Sequence, residues 1–241
     1  MSATRGAART APRRAAAARA ARPAPARAAG AKPGGRSPQL KAEVQEFKRR
    51  RILEQTRDLL YEHGYEATTL DAIAAGLQVT KPFIYSYYRN KSEILRAICE
   101  IGIRGSLRAL DDALATRLPS REKLRMIVEG VSRVVIENQK YIVVYEREQK
   151  NLEPADAKLL IGLRREWGVR LAGLLESGTR SGDFRVDDPL QTAVSIGGLL
   201  TWIAHWYRSP GRWGQAEVVL HAVAMVERMV GVVPADRGAQ R

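Results

Sequence analysis

The chain has 241 residues, 45% of them hydrophobic, with a formal net charge of +14 and one cysteine, Cys99. That length suits one large domain or two modest ones with a real core. A single cysteine excludes an internal disulfide framework and a CxxC metal site and fits a reducing cytoplasm, and no apolar run reaches the roughly 18 residues that a membrane span needs.

The positive charge is unevenly spread. Residues 1–40 hold nine Lys or Arg and no acid, which leaves 31 basic and 26 acidic residues, a net of +5, for 41–241. This first stretch is Ala, Arg, Pro and Gly with almost no large apolar side chain. Such a segment cannot bury enough surface to offset its ordering entropy and is expected to be a disordered basic arm. It is either a plain solvated tail or a source of nonspecific attraction to phosphates. An organellar transit peptide is also Arg-rich and acid-poor, but repeated Pro and Gly interrupt the amphipathic helix it would form.

From Gln39 the pattern turns helical. Phe47, Ile52, Leu59 and Leu60 recur at intervals suited to one apolar face. Gly64 stands where a left-handed stop would end the helix. Thr68-x-x-Asp71 has the form of a helix start, a hydroxyl cap with an acid in the first turn. A second helix is expected from there to about Gly76. Thr80 is expected to cap a third, with Pro82 tolerated in its first turn. Asn90-x-x-Glu93 has the spacing of a reciprocal cap opening a fourth. Helices are expected at about 91–115, 120–138, 140–150, 155–181, 187–208 and 214–231. The breaks fall at Pro119, Pro154, Ser181-Gly182-Asp183, Pro189 and Ser209-Pro210-Gly211. No alternating strand pattern and no internal repeat competes. The expectation is an all-α protein with a small N-terminal three-helix unit over 41–98, a larger helical domain over 99–233, and a flexible tail over 234–241.

Within the small unit, Ile73 and Ala74 put apolar groups on one face of the second helix, and Leu77 and Val79 fill the corner after it. Ile84 and Tyr88, four apart, share an inward face of the third. That leaves Lys81, Phe83, Ser86 and Tyr87 exposed, on a helix of the kind that enters a major groove. Lys81 can donate to a guanine edge or a phosphate, Phe83 can lie on thymine methyls, and Ser86 and Tyr87 can donate to either. Tyr85, beside the core face, can reach a phosphate. Lys91 and Thr69 stand at helix starts that favour a phosphate. Lys48, Arg49, Arg50 and Arg51 form the densest basic run outside the arm. Taken singly, each has a plainer reading: the aromatics as a protein-binding surface, the basic run as a solvated helix start.

The order of the whole set is what decides. Leu70-Asp71-Ala72-Ile73-Ala74, then Val79-Thr80-Lys81-Pro82-Phe83-Ile84-Tyr85-x-Tyr87-Tyr88-x-Asn90-Lys91-x-x-Ile94-Leu95, resembles the helix-turn-helix DNA-binding domain of TetR-family transcriptional repressors. The resemblance covers about 48–98. It implies a homodimer reading a palindromic double-stranded DNA operator, with 99–233 as the ligand-binding and dimerisation domain. By position it implies DNA contacts from Lys81, Phe83, Tyr85, Tyr87 and Lys91, with Thr80 and Pro82 beside them. Two positions depart from the family pattern. Leu77-Gln78 stands where Ala-Gly is usual, and a left-handed Gln78 would cost about 1 kcal/mol. Phe83 replaces a small hydroxyl residue, which leaves the preferred operator open.

In the second domain, helices near 187–208 and 214–231 are expected to build a four-helix interface with a second copy. Ser195, Gly197 and Gly198 would admit another backbone there. Trp202 to Arg212, Trp-x-x-x-Trp-Tyr-Arg-x-x-Gly-Arg, resembles a branch of TetR-like regulators that sense acyl-CoA thioesters. It implies a small hydrophobic effector with a bulky acyl group. Tyr141, Tyr145, Trp167, Trp202 and Trp206 are candidate pocket walls, with Arg147, Arg164 and Arg165 for a CoA phosphate or carboxylate; aromatics at helical spacing are also plain core. His205 is read as structural. His63, His205 and His221 are too scattered for a chelate, so neither metal nor cofactor is expected. No phosphate-cradling loop, metal dyad or nucleophile with a base points to an enzyme. The leading expectation is a ligand-responsive repressor. A drug-efflux regulator sensing aromatic or cationic drugs and a sequence-nonspecific architectural DNA coater are kept beside it.

Overall fold

Helix α1 grows from the first periodic signal and spans Pro38–Ala67. The computed structural model describes residues 38–232. Most of the basic arm and the expected tail therefore lie outside the described residues, and the arm is shorter than expected, because 38–40 already belong to α1. The buried stripe of α1 begins late, at Ile52, and continues through Thr56 and Leu60. Phe47, expected on that stripe, is instead 55% exposed, with the Arg50 guanidinium 5.8 Å from its ring centroid. Phe47 precedes Ile52 by five positions, about 140° round the helix, and so stands at the rim of an open hollow with Lys48, Leu77 and Phe83 rather than in the core. Gly64, expected to stop the helix, instead kinks it at φ 78, a conformation that L side chains resist, and α1 runs on to Ala67.

The helices after it are α2 (Leu70–Gly76), α3 (Lys81–Tyr85), α4 (Lys91–Leu114), α5 (Ser120–Glu137), α6 (Gln139–Glu148), α7 (Pro154–Ser181), α8 (Pro189–Trp206) and α9 (Gln215–Met229). A 3-10 turn, Gln149–Asn151, follows α6. Among the described residues there is no strand, and no helix is long and apolar enough to cross a membrane. The proline and glycine positions work as punctuation. Pro154 and Pro189 open α7 and α8, where a missing N–H costs nothing. Gly182 closes α7 at φ 85.

Two apolar clusters form. The small one gathers Ile52, Leu60, Ile73, Ile84, Ile94 and Ile98, and borrows Tyr141, Val144 and Leu160 from α6 and α7. The large one centres on Leu110, Ile127, Leu171, Leu175, Ile196 and Val226. Helix α4 serves both, with Ile94, Leu95 and Ile98 in the first and Leu107 and Leu110 in the second. The 98/99 division therefore falls inside a continuous helix. Ile103 and Leu163 touch both clusters.

Candidate nucleic-acid interface and effector cavity

Helix α2 starts one residue later than expected. Thr69, not Thr68, is the cap, its hydroxyl accepting from the Ala72 N–H at 3.1 Å. Thr68 is buried and donates to the Gly64 carbonyl at 2.8 Å, which ties the bend of α1 to the start of α2. The turn to α3 needs a left-handed residue, and Gln78 supplies it at φ 55, the one non-glycine with positive φ among the described residues. Val79 N–H then bonds the Ala74 carbonyl at 3.0 Å. Gly76 allows α1 close: a Cβ there would lie 2.4 Å from the Gln55 side-chain nitrogen.

Helix α3 is a short turn and a half. Thr80 occupies its cap position without a side-chain bond, and Pro82 lies in the first turn. Ile84 and Tyr88 point inward, and burial pushes the Tyr88 phenol up to about 12. Phe83 and Tyr87 are half-buried rather than exposed and meet at 5.2 Å between centroids. Lys48 Nζ lies 5.7 Å from the Phe83 ring. Tyr85, 48% exposed, is the most outward ring. Ser86 is also exposed and donates to the Phe83 carbonyl at 2.7 Å. Lys81 is paired with Asp71 at 2.9 Å, and that bond and charge raise its pKa. Lys91 is committed inward: its ammonium donates to the Tyr65 carbonyl at 2.7 Å and lies 3.9 Å from the Tyr65 ring centroid, so it clamps α4 to α1. Asn90 accepts from Glu93 N–H at 2.8 Å, while Glu93 accepts from Arg89 N–H, one residue beyond the Asn90 N–H of the expected reciprocal box. Arg49, Arg50 and Arg51 are exposed, the last two bridged to Glu54 at 3.8 and 3.0 Å.

Behind this unit lie two adjoining cavities. The inner, enclosing about 680 Å³ of empty volume partly open to solvent, is walled by Cys99, Ile103, Tyr141, Ile142, Tyr145 and Leu160. The outer, a hollow of about 1400 Å³ counted with the open solvent in its mouth, adds Arg165, Trp167, Leu190, Val194 and Trp202. Ile103, Ser106, Glu146, Arg164 and Thr201 line both and form the neck. Arg164 donates to the Tyr145 hydroxyl at 3.3 Å. Glu146 meets His205 at 2.5 Å, and His205 stacks on Trp202 at 4.7 Å, so this histidine is held as a structural partner. Burial pushes the Cys99 thiol up to about 12, leaving it unreactive at neutral pH. The inner wall also contacts α1: the Arg57 guanidinium lies 4.7 Å from the Tyr141 ring.

Family models match both parts of the chain: bacterial regulatory proteins, tetR family, over residues 52–98, and tetracyclin repressor-like, C-terminal domain, over 117–230. The crystal structure of PfmR, a TetR family transcriptional regulator from Thermus thermophilus, is 30% identical with a TM-score of 0.68, spanning 77% of this chain and 100% of its own. The chain belongs to the TetR family. The HTH-type transcriptional repressor KstR2 of Rhodococcus jostii (strain RHA1) is 27% identical over 170 residues, 68% of this chain and 81% of its own. AibR, solved with isovaleryl coenzyme A and operator DNA, is 24% identical with a TM-score of 0.66 over 77% of this chain and 100% of that one, a likeness of fold. The family is one of DNA-binding transcription regulators rather than enzymes.

For this TetR-family chain the fold separates the candidate pocket residues. Tyr141, Tyr145, Arg164, Trp167 and Trp202 line the cavities. Arg147 does not: it faces α1 and donates to the Tyr61 carbonyl at 2.9 Å. Trp206 does not either. One turn beyond Trp202, where α8 ends, it meets Trp213 edge-on at 6.0 Å over a separate hollow. Gly197, expected to admit a second backbone, is filled by its own chain, since a Cβ there would lie 3.1 Å from the Trp167 ring. Gly198 faces open space. Sequence reasoning missed Glu146, Ser106 and Thr201 at the neck. Each is a lone polar residue on a helix, and only packing shows that three helices aim them at one place.

Proposed function

We propose that this TetR-family protein is a repressor that binds a palindromic operator as a homodimer through α3 and releases it when a hydrophobic acyl thioester fills the two cavities. The carrying observation is the pairing of an α3 anchored by Ile84 and Tyr88 with a cavity whose wall is the same α4 that holds α3 in place. Tyr85, Ser86 and Lys81 are the outward readers of bases or phosphates, with Phe83 and Tyr87 as an apolar edge between them. Thr69, Thr80 and Pro82 border that edge at helix starts, and Lys48 to Arg51 take flanking phosphates. Lys91 acts by positioning, clamping α4 beneath α3. Helices α8 and α9, which carry the exposed Val194, Trp202 and Leu220, join two copies.

The inner chamber suits a short acyl group, with Ile103, Val135, Ile142, Leu160 and two phenol rings among its polar neck residues and Gln149, while Arg164 and Arg165 at the neck and mouth suit the phosphates of coenzyme A. The isovaleryl coenzyme A bound by AibR supports this class of effector. Filling the chamber bears on Cys99, Gly102 and Ile103 of α4, and through Ile94 and Ile98 on the small cluster. The effector works because it prefers the arrangement in which the two α3 helices no longer match the operator spacing. Thermal shift against a panel of acyl-CoAs is expected to show stabilisation by some chain lengths and to abolish binding to a palindrome selected from random DNA. No stabilisation by any thioester sinks the effector class. Loss of about 1–3 kcal/mol per mismatched base pair is the mark of an operator reader, and equal binding to all sequences would make the protein a coater. A second reading, an aromatic or cationic drug as effector, is favoured by Glu146 standing beside Tyr145 in the cavity wall.

A further inference from the structure

The polar residues at the neck between the two cavities are Ser106, Glu146, Arg164 and Thr201. Ser106 and Thr201 have each spent their hydroxyl hydrogen on a carbonyl of their own helix, Ser106 on Gly102 at 3.0 Å and Thr201 on Gly197 at 2.8 Å. What their oxygens still offer is acceptance. Glu146 adds a carboxylate from α6, which also only accepts. Its Oε2 takes a hydrogen bond from His205 Nε2 at 2.5 Å, while Oε1 accepts from none of the described residues. The His205 ring is stacked on Trp202, so the carboxylate is held from behind. Helices α4, α6 and α8 thus bring acceptors to one place. Helix α7 brings the donor: Arg164 gives one N–H to the Tyr145 hydroxyl at 3.3 Å, and no ion pair joins it to Glu146 among the described residues.

A carboxylate with a free oxygen at a constriction decides what can lie across it. An alkyl chain would strip its water and return no hydrogen bond. A phosphate would be repelled. A segment that carries a hydrogen-bond donor avoids both costs. We infer that the neck reads an amide, with Glu146 accepting the N–H of a secondary amide in the effector, Ser106 and Thr201 flanking it as further acceptors, and Arg164 donating to the amide carbonyl. The inference rests on the acyl thioester reading of the cavities and sharpens it. In coenzyme A the first amide nitrogen stands two carbons beyond the thioester sulfur, so an acyl group seated in the inner chamber brings that N–H to the neck. Glu146 is then a specificity-determining residue. It separates coenzyme A thioesters from the free acids and simple esters of the same acyl group, which bring acceptors or plain alkyl carbon to a place already rich in acceptors.

The test uses the full chain and four thioesters of one acyl group, the one whose coenzyme A thioester stabilises the protein most. The probes are that coenzyme A thioester, the N-acetylcysteamine thioester, its N-methyl amide and the thiocholine ester. The second keeps the amide without phosphates, the third lacks only the donor, and the fourth sets a cation where the amide nitrogen stands. Titration calorimetry compares the wild type with Glu146→Ala, Glu146→Gln and Thr201→Val. For the wild type, N-methylation should weaken binding about tenfold or more, as loss of a hydrogen bond to a charged group does. Glu146→Ala should weaken both N–H probes by a similar factor and leave the N-methyl probe unchanged. Glu146→Gln, whose oxygen still accepts, should lie between, and Thr201→Val should cost the N–H probes about threefold. Equal wild-type binding of the N–H and N-methyl probes would overturn the inference, as would an unchanged affinity of Glu146→Ala for the coenzyme A thioester. A loss in Glu146→Ala shared by all four probes would also overturn it and leave the carboxylate a structural partner of His205. Tighter binding of the thiocholine ester than of the N-acetylcysteamine thioester would overturn it in favour of a cation site. Failure of the thioester reading itself is seen separately, as a wild-type protein that binds no coenzyme A thioester, and it removes both.

Discussion

The small cluster around Ile84 and the large one around Leu110 draw on the same aliphatic residues, yet they are specified differently. The small unit is held by short-range signals: the Thr69 cap, the left-handed Gln78, Pro82 in the first turn, the Asn90 cap. Each acts within four residues and fixes where a side chain points almost regardless of the rest. The large body has few such devices. Its side chains are sorted by which helix passes alongside, so Trp167 is buried and Trp202 is 62% exposed although both were candidate pocket walls. Local chemistry positions the side chains of α3, and only the packing of distant helices makes the cavity.

The largest effect that tests this contrast is core truncation. Ile84→Ala and Leu110→Ala should each cost about 2–5 kcal/mol. Because α4, Ile103 and Leu163 join the clusters, denaturant unfolding should stay a single transition in both. Two separate transitions would make the small unit independent.

Next come two glycines of α7. A Cβ at Gly178 would lie 2.2 Å from the Phe184 ring, whereas Gly173 has open space around it. Gly178→Ala should lose about 1–3 kcal/mol or more, and Gly173→Ala should gain about 0.5–1 kcal/mol. Equal outcomes would mean that packing does not govern the body.

In the small unit, Thr69→Ala should cost about 1 kcal/mol, as loss of a bonded cap does. Thr80→Ala should cost much less, since Thr80 makes no cap bond. Gln78→Gly should stabilise by about 0.5 kcal/mol, the left-handed penalty less the entropy that glycine adds to the unfolded chain. Thermal midpoints of the three variants order these effects, and a destabilising Gln78→Gly would show that the side chain contributes more than its backbone costs.

The smallest effect lies at the join. Asp58 on α1 accepts from Lys140 on α6 at 2.8 Å. Burial pushes its carboxyl up, but hydrogen bonds from Arg57 and Lys140 outweigh that and hold it below the usual carboxylate range. Its contribution is therefore present above the unfolded value of about 3.9 and lost as pH falls through the folded one. With Asp58 37% and Lys140 46% exposed, solvent screening limits the pair to about half a kcal/mol. Asp58→Asn should lower the unfolding midpoint slightly at neutral pH and match the wild type once the carboxyl is protonated. A difference that persists in acid would trace the effect to something other than charge.

Much of the helical order was legible in the sequence, because prolines and glycines mark helix ends by backbone sterics alone. The helices expected beyond residue 90 start and end within two residues of those observed. The errors were of register and neighbourhood. Thr68 and Thr69 offer the same hydroxyl, and the choice between them depends on the bend at Gly64. Phe47, expected on the stripe of α1, stands about 140° round the helix from Ile52 and so misses the core.

By itself the sequence determined the helix-turn-helix, since its caps and turn act between residues a few positions apart and their order is specific to the TetR family. It also located the excess charge ahead of residue 41. Only the tertiary structure decided that Lys91 is a clamp, that Arg147 docks on α1 and Trp206 on Trp213, and that Glu146, Ser106 and Thr201 meet at one neck. These are contacts between residues up to 95 positions apart, and no local periodicity encodes which helix faces reach one another.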